Sequence, residues 1–196
     1  YSKNNVQNWE EANHKYPYQE ASDYPYGTIR GYQAIGLFKD WDDVRNSPAQ
    51  FGNLMPGDIK YRDINGDGVI NSDDRVPLSY STYPLLMYGF GGEFRYKDIT
   101  VGVLFKGTGQ TDYFHVGYGG NGTGYVPFYN GVNGNVLSIA SDPQNRWIPR
   151  DYAIANGIDP TLAENPNARF PRRTYGYNEN NSQLSDVWKG DARYLR

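Results

Sequence analysis

One segment near the middle of the chain alternates between apolar and polar residues with a period of two. Most large apolar side chains of residues 86–96 fall on even positions, and most of those in residues 99–107 fall on odd positions. Because successive side chains of a strand point to opposite faces, each run predicts a β-strand with one apolar face. Lys97 and Asp98 lie between the runs and predict a two-residue hairpin turn.

The predicted turn sets the pairing of the two strands. On the apolar face the expected pairs are Tyr96 with Ile99, Phe94 with Val101, Gly92 with Val103 and Phe90 with Phe105. Strands of about 9 to 11 residues have the length of tilted transmembrane strands. The inner face of a soluble β-sandwich would look similarly apolar. The alternation alone therefore leaves a membrane hairpin and a sandwich hairpin both open.

The composition favours β-structure with long loops. There are 23 glycines and 19 tyrosines against 2 methionines, and long aliphatic runs are missing, so a packed helical core is not expected. With a net charge of −3, the chain lacks the excess of basic residues that is typical of proteins that bind nucleic acid. With no cysteine, disulfides and thiolate metal sites are excluded, although export is not. No segment approaches the roughly 20 apolar residues of a spanning helix.

DINGDGVINSDD, at residues 63–74, spaces oxygen-bearing side chains as an EF-hand-type calcium loop does. Such loops take ligands from the first, third, fifth, seventh, ninth and twelfth positions and place glycine at the sixth. The matching residues are Asp63, Asn65, Asp67, Val69 through its carbonyl, Asn71 and Asp74, with Gly68 in the turn. The segment therefore predicts a site for Ca²⁺, with Mg²⁺ as the alternative ion.

Two features set this loop apart from an EF-hand. Its twelfth residue is Asp rather than Glu, which reaches less far, as in the calcium loops of dockerins. The flanking segments MPGDIKYR and RVPLSYSTYP contain prolines and predict extended chain instead of helices. Ile70 is expected to turn inward and tie the loop to a core. A carboxylate-rich turn that binds no ion remains the alternative, because Asp, Asn and Gly favour turns by themselves.

The sequence predicts no enzymatic activity. His14 and His115 are the only histidines and lie in unrelated contexts, and no thiol nucleophile exists. Asp42 and Asp43 are expected in the first turn of a short helix capped by Asp40, not in a glycosidase carboxylate pair.

Five segments, in order along nearly the whole chain, resemble those of SusC/RagA-family TonB-dependent outer-membrane transporters of the Bacteroidetes. They are GYQAIGLFKDWDDV, PGDIKYRDINGDGVINSDDRV, YGFGGEFRYKDITVGVLFKG, NRWIPRDY and SDVWKGDARYLR. The resemblance implies an all-β fold: part of a 22-stranded transmembrane β-barrel in the cell outer membrane. It also implies import of glycans or peptides, with a SusD-like lipoprotein and TonB as partners. The chain is then expected to be an internal fragment of the C-terminal half of the barrel.

The resemblance also implies a topology. Short turns of such barrels face the periplasm and long loops face outside. Residues 85–107 would form one transmembrane hairpin in contact with lipid, between extracellular loop regions at residues 1–84, which hold the metal loop, and 108–190. Residues 191–196 would begin the next barrel strand. A cation at residues 63–74 would brace the first loop region and would not act in catalysis.

Aromatic residues interleaved with Asn and Gly concentrate in both loop regions. Flat rings beside amides suit sugars, and they suit protein interfaces equally well. The candidates for contact with an oligosaccharide or peptide substrate, or with the lipoprotein, are Tyr118, Tyr125, Tyr129 and Trp147. Packing within the loops is the third possibility. For the function as a whole, the alternative is a secreted, calcium-stabilised β-module that binds glycans or protein partners.

Overall fold

The computed structural model describes residues 4–81, 83–114, 138–174 and 178–195. The strands are β1 (Ile29–Gly31), β2 (Ala34–Leu37), β3 (Ile59–Tyr61), β4 (Val76–Ser79), β5 (Leu86–Tyr96), β6 (Ile99–Gly109), β7 (Asp112–Phe114), β8 (Lys189–Asp191) and β9 (Tyr194–Leu195). The helices are α1 (Trp41–Arg45), α2 (Ser138–Ser141) and α3 (Arg150–Ala155). Strand predominates over these short helices, which agrees with the predicted all-β class. Membership of a 22-stranded barrel stays a prediction.

The chain divides into two compact units. The hairpin unit contains the described residues of ranges 1–29, 79–114 and 189–196, and the loop unit contains those of ranges 30–78 and 115–188. Within the described part of the chain, no helix is both long and apolar enough to cross a membrane.

The hairpin unit is built around β5 and β6. They pair antiparallel along all 11 residues of each strand, from Tyr96 opposite Ile99 to Leu86 opposite Gly109. This is the register that the alternation predicts. Lys97 occupies the turn with a φ of 52°, a left-handed conformation that two-residue hairpin turns require.

Three further strands belong to this unit. β9 pairs antiparallel with β6 through Thr108 and Gly107, giving the order β5-β6-β9. β7 pairs with β8, and the buried Asp112 accepts a hydrogen bond from the Tyr80 N–H and lies 3.2 Å from the Lys189 ammonium.

The loop unit contains two small two-stranded sheets and the short helices α1, α2 and α3. β1 pairs with β4, β2 pairs with β3, and α1 begins after Asp40, whose carboxylate accepts the Asp43 N–H at 2.8 Å. The predicted short helix and its cap are therefore confirmed. The buried apolar side chains of the unit are Tyr32, Leu37, Phe38, Ile59, Tyr61, Ile70, Ala140, Trp147, Ile148, Ala153, Ala163, Phe170 and Trp188.

The loop unit joins segments from both predicted loop regions, residues 1–84 and 108–190. The Trp147 ring packs over Gly57, where an added Cβ would lie 2.4 Å from the indole. Asn181 accepts the Ile59 N–H through its side-chain oxygen at 2.9 Å. Most of the two predicted loop regions therefore forms one packed body, because each supplies partners that the other needs.

The centre of this body is a buried carboxylate. Asp58 is fully buried, with its Oδ1 2.7 Å from the Nε of Arg172. The side-chain amides of Asn178 and Asn181 donate to the same oxygen at 3.0 and 2.8 Å, and the Met55 N–H donates to Oδ2 at 2.9 Å. A buried charge is tolerated only when paired and hydrogen-bonded in this way.

Neighbouring amides continue the network. The Asn180 side chain is buried, donates to the Ile59 carbonyl at 2.7 Å and accepts from Gln50 at 3.1 Å. The Tyr61 hydroxyl donates to the Asn180 carbonyl, and the Trp188 indole donates to the Asn181 carbonyl. The polar run NENNSQ at residues 178–183 is thereby fixed against β3 instead of forming a solvated loop.

We expect Asp58→Ala to destabilise the loop unit by about 3–5 kcal/mol, because it leaves the Arg172 charge and two buried amides without their acceptor. Asp42→Ala is the matched control, since Asp42 forms an exposed ion pair with Arg45 in the same unit and its loss costs less than about 1 kcal/mol. Chemical denaturation of both variants measures the difference. Equal stabilities of the two variants would show that the Asp58 network does not hold the unit together.

Candidate functional site: the 63–74 loop and the hairpin face

The 63–74 loop has the backbone that its sequence predicts. Gly66 and Gly68 have φ values of 74° and 83°, in the left-handed region that glycine adopts without steric cost. Ile70 is buried, and its N–H donates to the Ala49 carbonyl at 2.8 Å. The Ala49 N–H donates in turn to Gly68, so the loop is tied to the core on the side where Ile70 turns inward. The flanking strands β3 and β4 replace EF-hand helices.

The carboxylates of the loop are held by the loop's own donors. Asp63 accepts the Gly66 and Gly68 N–H groups at 2.7 and 2.8 Å, one on each oxygen. The buried Asp74 accepts the Ile64 and Asn71 N–H groups at 2.8 and 2.9 Å. These bonds close the ring of the loop through the loop's own backbone donors.

The side chains of Asp67, Asn65 and Asn71 also accept hydrogen bonds from donors within the loop. Asp67 accepts the Val69 N–H at 2.9 Å on Oδ1 and the Asn65 side-chain amide at 2.9 Å on Oδ2. Asn65 Oδ1 accepts the Asp67 N–H, and Asn71 Oδ1 accepts the Asp73 N–H. Each carboxylate oxygen of Asp63 and Asp67 accepts one of these bonds and has a second lone pair left for a cation, whereas Asp74 Oδ1 also accepts the Asn65 N–H at 3.4 Å.

The fit of the loop to a cation is incomplete. Ca²⁺ needs 6–8 oxygens, and the loop offers the residue types, their order and the glycine turn that such a site uses. Among the residues that the structure describes, however, no three His, Cys, Asp or Glu side chains converge on one point where a metal ion could be held. Metal binding at Asp63, Asn65, Asp67, Val69, Asn71 and Asp74 therefore stays a prediction.

The surroundings shift the pKa values of Tyr32 and Asp43 in the loop unit. Burial raises the pKa of the Tyr32 hydroxyl, with Arg75 opposing and Asp74 reinforcing the rise, so this phenol stays protonated. Partial burial would raise the pKa of Asp43, but hydrogen bonds from the Lys60 ammonium and the Lys39 N–H outweigh it and hold that pKa below its usual range. The Asp43–Lys60 contact thus stabilises the unit at neutral pH, and the contribution is lost as acid protonates Asp43.

The hairpin exposes the apolar face that the alternation predicts. Phe94 and Ile99 are 68% and 66% exposed, and the Phe90 and Phe105 rings stack with centroids 5.0 Å apart. The other exposed members of this face are Tyr88, Tyr96, Val101 and Val103. On the opposite face lie Gly91, Glu93, Arg95, Gly102 and Lys106, together with the apolar Met87 and Leu104. An apolar surface of this length in contact with water is unusual for a monomer.

The strand edges of the hairpin are also open over most of their length. In the described part of the chain β5 pairs only with β6, and β9 covers β6 only at Gly107 and Thr108. Unpaired edges of 11-residue strands are templates for further strands. The hairpin therefore needs both a cover for its apolar face and neighbours for its edges.

Of the four residues predicted to contact substrate or lipoprotein, the structure describes Trp147. Tyr118, Tyr125 and Tyr129 lie outside the described residues. Trp147 is 6% exposed and packs over Gly57, so in this structure its ring is part of the core. The buried Trp147 ring offers little surface to a substrate or lipoprotein in this structure, and its contact with either stays a prediction.

Comparison with known proteins gives one informative match. A TonB-dependent receptor of Formosa agariphila is 31% identical to the chain over 86 residues, which is 44% of this chain and 8% of that receptor. The similarity supports a relationship to TonB-dependent receptors. The chain spans about 8% of the length of the curated relative it matches. No family model matches the chain.

This match bears on two expectations from the sequence. The relative is a TonB-dependent receptor, which agrees with the expectation that the chain has no catalytic role. It also agrees with the broader family expected from the five segments. The SusC/RagA type within that family goes beyond the match.

Proposed function

We propose that the chain is part of a TonB-dependent importer in the outer membrane, of the SusC/RagA type, in which β5 and β6 are neighbouring barrel strands. The observation that carries this proposal is the hairpin itself. Its strands have 11 residues each, the length of tilted membrane-spanning strands, and its apolar side chains have no cover in the described residues.

Lipid on one face and further strands at both edges would meet all the needs of this hairpin. In a bilayer every backbone polar group must be satisfied by the protein, which only helices and closed barrels achieve. The β5-β6-β9 order supports a sheet that grows by neighbouring antiparallel strands. On the opposite face, Glu93, Arg95 and Lys106 would line a wet interior.

The remaining parts of the proposal rest on resemblance. The transporter would import glycans or peptides, take energy through TonB, and work with a SusD-like lipoprotein at its extracellular mouth. The loop unit would then form part of the extracellular surface. Its hydrogen-bonded body, centred on Asp58, supports a structured surface suited to binding a substrate or a partner.

We further propose that the 63–74 loop holds a calcium ion that braces this surface. The left-handed glycines, the order of oxygen-bearing residues and the extended flanks support the proposal. Outside the cell, calcium is abundant enough to fill sites with millimolar dissociation constants. The ion would draw Asp63, Asp67 and Asp74 together and neutralise their repulsion.

A secreted β-module would share the loop but not the need for lipid. We expect the intact protein to remain in the membrane fraction, to require detergent for solubility, and to change its electrophoretic mobility when heated, because a closed barrel resists unfolding by cold detergent. Gentle purification should also retain a SusD-like lipoprotein in comparable amount. Solubility of the intact protein without detergent would reject the barrel and leave the secreted module.

The calcium proposal predicts a charge-dependent affinity. Asp67→Asn keeps an oxygen acceptor for the Val69 N–H but removes a ligand charge, so calcium binding should weaken by at least about tenfold. Asp42→Ala, an exposed acidic residue on α1, is the matched control and should bind as the wild type does. Isothermal titration with calcium after chelator treatment measures both.

Limited proteolysis supplies an independent readout. Chelation should increase cleavage near residues 63–74 in the wild type and in the Asp42 variant, and should add little in Asp67→Asn. If wild-type protein stripped of metal binds no calcium and shows no change in cleavage, the loop is a carboxylate-rich turn that closes through its own hydrogen bonds.

A further inference from the structure

Arg146, in the segment that precedes α3, is a buried cation without a carboxylate partner. Only 9% of the residue is exposed, and its Nε is buried without a hydrogen-bond acceptor. No acidic side chain of the described residues lies within ion-pair distance of it. The contact that the structure records for its guanidinium is the ring of Tyr152, 5.7 Å from the Cζ atom to the ring centroid.

Other arginines of the chain show how unusual this is. Arg172, which is also largely buried, lies against Asp58 in the same unit. The exposed Arg45, Arg150 and Arg193 each pair with a carboxylate. Arg146 is more buried than Arg45, Arg150 and Arg193, yet unlike them and Arg172 it has no carboxylate partner among the described residues.

Hydrogen bonds fix the backbone at Arg146. Residues 146 and 170 form a parallel bridge, in which the Phe170 N–H donates to Asn145 and the Trp147 N–H donates to Phe170. Trp147 next to it is buried against Gly57. Arg146 thus cannot leave its place without disturbing the core.

A cation–π contact does not compensate for burial of a full charge. Such contacts contribute about 0.5–2 kcal/mol, whereas removing an ion from water costs several kcal/mol. Arginine is the side chain that binds planar or tetrahedral oxyanions through two parallel N–H donors. A buried, positioned and unpaired guanidinium therefore has the properties of an anion-binding group.

We propose that Arg146 is the anchor of a binding site for a small oxyanion, a carboxylate or a sulfate group, with Tyr152 flanking the guanidinium. The bound anion supplies the countercharge that the chain lacks, and the half-exposed Tyr152 ring gives the molecule that carries the anion an apolar surface to lie against. This site is in the loop unit and does not depend on the transporter proposal.

Anion binding is tested on the intact protein with sodium sulfate and sodium acetate as separate probes, each against sodium chloride at equal ionic strength. Isothermal titration should show saturable binding of at least one probe to the wild type, and the stronger probe identifies the preferred anion. Arg146→Met should weaken this binding by about tenfold or more, because a charge-assisted hydrogen bond is lost. Arg146→Lys, which keeps the charge without the bidentate donors, should fall between them.

Arg150→Gln is the matched control, because Arg150 is four residues away, exposed and already paired with Glu164. It should bind the anion as the wild type does. Thermal unfolding in oxyanion-free buffer distinguishes a ligand role from a structural one. Without its anion, Arg146 is uncompensated, so Arg146→Met should unfold at the same or a higher temperature than the wild type.

Two results would overturn the proposal. One is the absence of saturable binding of either anion to the wild type. The other is a melting temperature of Arg146→Met clearly below that of the wild type in oxyanion-free buffer, which would show that the guanidinium stabilises the fold by itself.

Discussion

The exposed apolar face of the hairpin sets a constraint that the surroundings of the chain must meet. Two strands of 11 residues satisfy each other's backbone groups along their shared edge but turn a continuous apolar face outward. At roughly 25 cal/mol per Å², such a face in water is a large unfavourable term, and the open outer edges add unpaired N–H and C=O groups. A lipid environment with neighbouring strands removes both problems at once. The similarity of the chain to a TonB-dependent receptor agrees with that solution.

The loop unit solves a different problem, because it must order long segments that contain few aliphatic residues. It does so with aromatic rings and a buried polar network. Tyr32, Phe51 and Tyr61 pack with ring centroids 5.2 to 6.3 Å apart, and Asp58 gathers donors from distant parts of the chain. Directional bonds of this kind fix one arrangement of the segments. Segments ordered in this way hold their buried side chains in fixed positions.

Local patterns predicted the parts of the structure that depend on neighbours in sequence. The period-two alternation gave the hairpin register because a two-residue turn leaves no freedom in pairing, and Asp40 gave the cap of α1. Ile70 was predicted to face inward for the same local reason. The Asp58 network could not be predicted, since its partners lie more than 110 residues away and NENNSQ has the composition of a solvated loop. Burial of Arg146 and Trp147 likewise depends on contacts made across the fold, which no local pattern encodes.

The claim that the apolar hairpin face contacts lipid is tested most directly by single cysteines at Val101 and Gly102. These neighbours lie on opposite faces of β6, Gly102 has open space for a side chain, and the chain has no cysteine of its own to react. In the intact protein in membranes, we expect a lipid-soluble thiol reagent to label position 101 and a charged, water-soluble reagent to label position 102. Labelling of position 101 by the water-soluble reagent, with no labelling from lipid, would contradict it.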